Sequence, residues 1–178
     1  MTLNAYRAPA LATLLLAAAI APAANAETAS MSFSQGERNG VCMVGFKGPN
    51  APGTENQMTL QFTYRVKDGN IGASILVNGW ERAQEADPEK NIPMTLVFDT
   101  GKSAPARSGG YESGFNDSAW AGWGAGETSD KVYALMDGAK TARVLFDGMD
   151  LGPFDLQYKG LARSVLKTCA DRVRAAGS

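Results

Sequence analysis

The sequence predicts a mainly β fold, an antiparallel β-sandwich-like single domain with two short helices near the C-terminus. Three observations predict it. Between residues 58 and 67, apolar Met58, Leu60, Phe62, Tyr64 and Val66 alternate with polar Thr59, Gln61, Thr63, Arg65 and Lys67, the period of a strand buried on one face. Runs of this kind recur between Gly-, Asn- and Asp-rich turns, which argues for an antiparallel sandwich or barrel. Only beyond residue 129 does the apolar spacing lengthen to that of a helix.

The elements follow in order. Residues 1–26 read as a cleaved secretory signal peptide: Arg7 in the basic segment, an apolar run over 11–20, and Ala24-Asn25-Ala26 as the small-x-small cleavage site. Residues 27–178 are then one exported β-rich domain. The apolar run is shorter than the ~20 residues needed to cross a bilayer, and no later run reaches that length, so no integral membrane segment is expected after cleavage. Residues 31–34 form a short strand and 41–47 a longer one, with Cys42, Val44 and Phe46 on its inward face. Residues 47–53, Lys-Gly-Pro-Asn-Ala-Pro-Gly, have the composition of a loop. The strand at 58–67 turns at Lys67-Asp68-Gly69-Asn70 into another at 71–77, an antiparallel hairpin. Residues 78–91 make a loop or short exposed helix. A strand at 93–99 ends on Thr100 and Gly101, and 108–126 forms a hairpin turning at Asn116-Asp117.

In the last section Val132, Leu135 and Met136 share a helical face, with Ser129 or Asp130 as its cap and Gly138 as its stop. Strands at 142–146 and 154–158 flank a turn at 147–150. Gly160 opens a final helix, in which Leu161, Val165, Leu166, Cys169 and Val173 form the inward stripe.

Cys42 and Cys169 are the two cysteines of the chain. A strand period places one inward and a helix period the other, and export leads into an oxidising compartment, so one disulfide is predicted. A catalytic dithiol would carry its cysteines close together, as in Cys-x-x-Cys, and these are far apart. Loop-closure entropy assigns such a bond roughly 4–5 kcal/mol.

Charge and composition exclude several functions. Loss of residues 1–26 removes one basic residue, Arg7, and no acidic one, moving the formal charge from −1 to −2. The basic residues are scattered, with no stripe suited to nucleic acid. The absence of histidine removes Ser-His-Asp triads, Cys-His pairs and the usual zinc ligand sets. No cofactor motif occurs, since Asp99-Thr100-Gly101-Lys102-Ser103 holds only the tail of a phosphate-binding loop.

A resemblance runs through Leu96-Val97-Phe98-Asp99, Val132-Tyr133-Ala134-Leu135-Met136-Asp137-Gly138, Ala142-Arg143-Val144-Leu145-Phe146, Leu156-Gln157-Tyr158-Lys159-Gly160 and Val165-Leu166-Lys167-Thr168-Cys169. A strand ending in Asp, a helix, a strand, a Gly-containing turn, a strand, then Gly and a helix ending in Cys resembles the invasion-associated locus B family and related exported bacterial proteins. It covers roughly the last 80 residues and rests on apolar, Gly and Cys positions. The resemblance implies an exported β-sandwich-like domain without established enzymatic chemistry. The role in host-cell entry of some members is not carried over, because no residue here assigns it.

Three motifs invite chemistry. Val97-Phe98-Asp99-Thr100-Gly101 resembles the Asp-Thr-Gly element of aspartic proteases, in which paired carboxylates share a proton. Lys102 follows it where a small residue is usual, no glycine-rich flap accompanies it, and Asp and Gly at a strand end suit a turn. Asp147, Asp150 and Asp155 do not have calcium-loop spacing. The aromatic group Tyr111, Phe115, Trp120 and Trp123, with Trp80, is the candidate binding surface, since aromatics beside glycines offer a platform for sugar rings or peptide side chains. Core packing is the competing role for most of these rings, and in a strand Trp120 and Trp123 point to opposite faces. The sequence thus points to a non-enzymatic exported module, periplasmic or secreted, that binds a protein or glycan partner in the envelope, with no catalytic or metal residue assigned; the alternatives are an aspartic-protease-like hydrolase using Asp99 and an envelope structural or assembly factor.

Overall fold

In the computed structural model, which describes residues 33–114, 116–156 and 159–177, the chain opens with a hairpin of β1 (Phe33–Arg38) and β2 (Val41–Asn50). Asn39 and Gly40, with φ of 53° and 74°, form its two-residue loop, the Asn-Gly chemistry that matches strand twist. The predicted signal peptide and the first two residues of the predicted strand at 31–34 lie outside the described residues. The strand β2 runs on to Asn50 through a register shift after Lys47, so the predicted loop begins later than its Gly-Pro composition suggested.

Next come β3 (Gln57–Arg65) and β4 (Asn70–Val77), an antiparallel hairpin as predicted, its turn held by Asn70 N–H donating to Asp68 Oδ1 at 3.1 Å. The segment after it contains α1 (Glu81–Glu85). Strands β5 (Met94–Phe98) and β6 (Ser103–Pro105) form a hairpin closed by Asp99-Thr100-Gly101; β6, three residues long, is too short for periodicity to reveal. The chain then turns a corner at Ala106 and Arg107 and passes from one sheet to the other. Ala106 N–H donates to Met94 O at 2.8 Å and Arg107 N–H to Gly122 O at 3.0 Å. Strands β7 (Ser108–Glu112) and β8 (Asp117–Gly124) form the predicted hairpin, but its connection is 113–116 rather than Asn116-Asp117, because Asp117 pairs with Val77 as the first residue of β8.

Helix α2 (Glu127–Met136) starts earlier than predicted, after Gly126 rather than at Ser129 or Asp130, because a glycine at φ 65° turns the chain out of β8. Gly138, at φ 86°, stops it as expected. Strands β9 (Thr141–Phe146) and β10 (Met149–Asp155) meet in a tight hairpin whose loop is Asp147-Gly148, so β10 begins five residues before its predicted start. The predicted turn at 147–150 took in Met149 and Asp150, yet cross-strand pairing draws both into β10, which accommodates Gly152 and Pro153 in a bulge between Leu151 and Phe154. The last helix, α3 (Lys159–Ala176), is 18 residues long and not short.

The strands form two antiparallel sheets, one of six in the order β1-β2-β3-β4-β8-β7 and one of four in the order β10-β9-β5-β6. Their inner faces bury Phe62, Leu60, Ile75 and Met58 from the first and Met94, Leu96, Val144 and Leu151 from the second. Among the described residues the fold is therefore the mainly β sandwich that the alternation predicted. Trp123 Nε1 donates to Ala104 O across the sheets at 3.3 Å. Helix α3 lies against β2, and Cys42 and Cys169 are disulfide-bonded with their Cα atoms 6.0 Å apart. The bond fits an oxidising environment. No described helix is long and apolar enough to cross a membrane.

Candidate functional site

Strand alternation divides the six-stranded sheet into an inner face, filled by the core, and an outer face that carries its own pattern. Register aligns Met43, Thr63, Gly72, Gly122 and Ser108 in one outer row across β2, β3, β4, β8 and β7. The neighbouring row runs Gln61, Ser74, Trp120 and Gly110. Two glycines side by side in the first row leave a trough over β4 and β8, a groove of about 440 Å³. Trp120 walls it on one side, and Arg107 and Glu112 stand on its rim.

The glycines of this face differ in what they permit. A Cβ on Gly72 would stand 2.8 Å from Thr63 Oγ1 and 3.1 Å from Ala121 O, so packing alone requires glycine there. A Cβ on Gly122 would meet only Ser108 Oγ, at 3.4 Å, an ordinary contact, and its φ lies outside the left-handed region. Gly110 sits beneath the indole of Trp120, whose Nε1 would be 3.4 Å from a Cβ at that position. The ring therefore leans across the sheet toward β7 and is half-buried, its remaining surface turned to solvent.

The other predicted aromatics do not join it. Trp80, Tyr111 and Trp123 are 2%, 4% and 2% exposed. Trp80 packs edge-on to Tyr111 at 5.6 Å, and Tyr111 edge-on to Phe146 at 4.9 Å, a ladder that ties the two sheets. Tyr111 Oη donates to Asp147 Oδ2 at 3.1 Å, and Arg82 Nη1 lies 3.5 Å from the same oxygen. Burial, then the bond to Asp147, pushes the Tyr111 phenol above its ordinary value. Phe115 lies outside the described residues. Of the four described rings of the predicted platform, Trp120 alone keeps surface, because burial of large aromatic area in the core outweighs display of the other three.

Asp99 is exposed at the tip of the β5–β6 hairpin, where its Oδ1 accepts Lys140 N–H at 2.9 Å and Gly101 takes φ 78°. That is the turn role its neighbours suggested. Asp150 pairs with Arg143 at 2.8 Å. Among the described residues no three Asp, Glu or Cys side chains come together in a metal-holding group. Among the described residues the buried carboxylate is Asp117, which accepts Trp80 N–H at 2.9 Å, Gln84 Nε2 at 2.9 Å and Ser113 Oγ at 2.8 Å. It anchors α1 to β8, and the bonds from Gln84 and Ser113 hold its pKa below the usual carboxylate value.

Two further recesses flank α3. One, about 430 Å³, runs between β1 and the helix, with Glu37, Thr168, Cys169 and Arg172 along it. The other, about 180 Å³, holds Tyr64, Tyr133 and Arg163, with the guanidinium carbon of Arg163 5.8 Å from the Tyr133 ring centre. Burial first, then proximity to Tyr64, pushes the Tyr133 phenol up to about 12.

Thr63, Ser74, Arg107 and Gly122 were not among the residues singled out from sequence. Their outward parity was readable strand by strand, but the adjacency of β4 to β8, across more than forty residues, was not. No protein-family model, curated protein or solved structure matches the chain.

Proposed function

We propose that this chain is a non-enzymatic binding module of the bacterial envelope, exported to the periplasm or beyond, which meets a protein or glycan partner through the outer face of its six-stranded sheet. One observation carries the reading: of the three tryptophans, Trp120 alone keeps surface, and it does so beside a glycine-floored groove rather than in the core. Interfaces concentrate their energy in such partly exposed aromatic anchors. The likeness of residues 96–169 to the invasion-associated locus B family, and the amino-terminal export signal, support the envelope assignment. The disulfide is in keeping with it.

The test is affinity capture from a periplasmic extract with the wild-type domain and with Trp120→Ala. A partner held by the first and lost by the second, with unchanged circular dichroism, supports the reading. Equal capture by both removes it. Co-purification of a set of envelope proteins that ignores the substitution would instead favour an assembly role.

A further inference from the structure

We infer that the groove over Gly72 and Gly122 takes a glycan, a pyranose chain that stacks one ring on the Trp120 indole and directs an acidic substituent at Arg107. The inference rests on the binding reading above and adds the chemical class of the ligand.

Four observations lead to it. The indole of Trp120 leans across Gly110 and leaves part of its surface open, a platform for the C–H face of a sugar ring. Gly122 is a glycine where a side chain would fit, so its lack of one keeps the trough floor open beyond what packing requires. The hydroxyls of Thr63, Ser74 and Ser108 line the groove and have no hydrogen-bond partner among the described residues, which leaves donors and acceptors for sugar hydroxyls. Arg107 is exposed on the rim and makes no ion pair among the described residues, whereas Arg65 is engaged by Asp68 at 3.2 Å. An unpaired guanidinium suits a carboxylate or sulfate, which it grips with two parallel bonds.

The same face disfavours the other occupants. An extended peptide adds to a free sheet edge through its backbone, yet β4 and β8 lie inside the sheet with their ladders already paired on both sides. A second copy stacked face to face would need an apolar surface, and this one carries hydroxyls and charges.

The experiment titrates tetragalacturonate, cellotetraose and N-acetylchitotetraose into the full exported domain, read by calorimetry and tryptophan emission. The acidic sugar is expected to bind more tightly than the two neutral ones. Trp120→Ala should weaken it by about tenfold or more. Arg107→Gln should bring its affinity down to that of the neutral sugars. Gly122→Thr, which fills the trough without touching the core, should block binding while leaving the thermal midpoint in place, and it carries the test if Trp120→Ala misfolds. Absence of binding by all three sugars at millimolar concentration would overturn the glycan inference, as would binding indifferent to Gly122→Thr. Capture of an envelope protein that Gly122→Thr abolishes would then leave the binding face standing without the glycan. Capture and sugar binding both indifferent to the substitutions would remove the two together.

Discussion

Replacing Cys42 and Cys169 together by alanine should cost this domain much of its stability. The residues are 127 apart in sequence, and closing a loop of that length gives roughly 5 kcal/mol by chain entropy. Domains of this size have a total of about 5–15 kcal/mol to lose. Among the described residues of α3, the buried side chains are Ala162, Leu166, Cys169 and Ala170, and the one large apolar group, Leu166, contributes roughly 1.5–3 kcal/mol. The variant should therefore melt lower by on the order of 10–20 °C in a far-ultraviolet circular dichroism scan. Hydrogen exchange should show α3 and the β1–β2 end of the sheet opening before the rest, because Cys42 lies on β2 with β1 at the sheet edge. Reduced wild-type protein should behave like the variant. A thermal midpoint unchanged within a degree or two, or titration of two thiols in the oxidised protein, would refute the reasoning.

Other substitutions probe the rest of the fold. Asp117→Ala leaves Trp80 N–H, Gln84 Nε2 and Ser113 Oγ without their acceptor, so the thermal midpoint should fall at neutral pH. The Asp117 pKa is depressed by folding, so its contribution is present above the ordinary carboxylate value and lost as pH falls through the lower, folded one. The gap between wild type and variant should thus close in strong acid, and a gap that persists there would contradict the assignment. Gly109→Ala places a Cβ 2.5 Å from Ile92 O and 2.8 Å from Trp120 O and should cost about 1–3 kcal/mol in urea unfolding, unlike Gly122→Thr. Tyr133, pushed up to about 12, keeps its proton in the fold after the unfolded chain has lost it. Its share of stability is full below the ordinary tyrosine value near 10 and falls as pH rises toward 12. Tyr133→Phe should flatten that alkaline loss in pH-dependent melts.

Much of the fold was legible because its signals are local. Met58 to Val66 alternate because a half-buried strand presents every second residue to the core, and the β3–β4 hairpin follows from Asp68 and Gly69 between two such runs. Cys42 and Cys169 were placed inward by two separate periods and meet in the structure. Legibility ended where pairing with a distant strand overrides local composition. Met149 and Asp150 were read as part of a turn but pair with β9, and Ser103 to Pro105 is a strand only because β5 lies beside it. Asn39-Gly40 is a local hairpin signal of the same kind as Asp68-Gly69, both residues of the Asn-Gly pair taking positive φ between β1 and β2.

The aromatic surface shows the same division. Parity alone separated Trp120 from Trp123, since a strand sends neighbours three apart to opposite faces. Parity could not say which of the two faces is core, nor that Trp80 and Tyr111 would be drawn inside to join Phe146. By itself the sequence determined the β class, the hairpins and the inward cysteines, because period, turn chemistry and side-chain direction act within a few residues. Only the tertiary structure decided that β4 lies against β8, that Gly72 and Gly122 stand side by side, and that Trp120 is the one tryptophan of three to keep surface. Those outcomes depend on which segments bury each other across the whole chain, a competition that no local stretch contains.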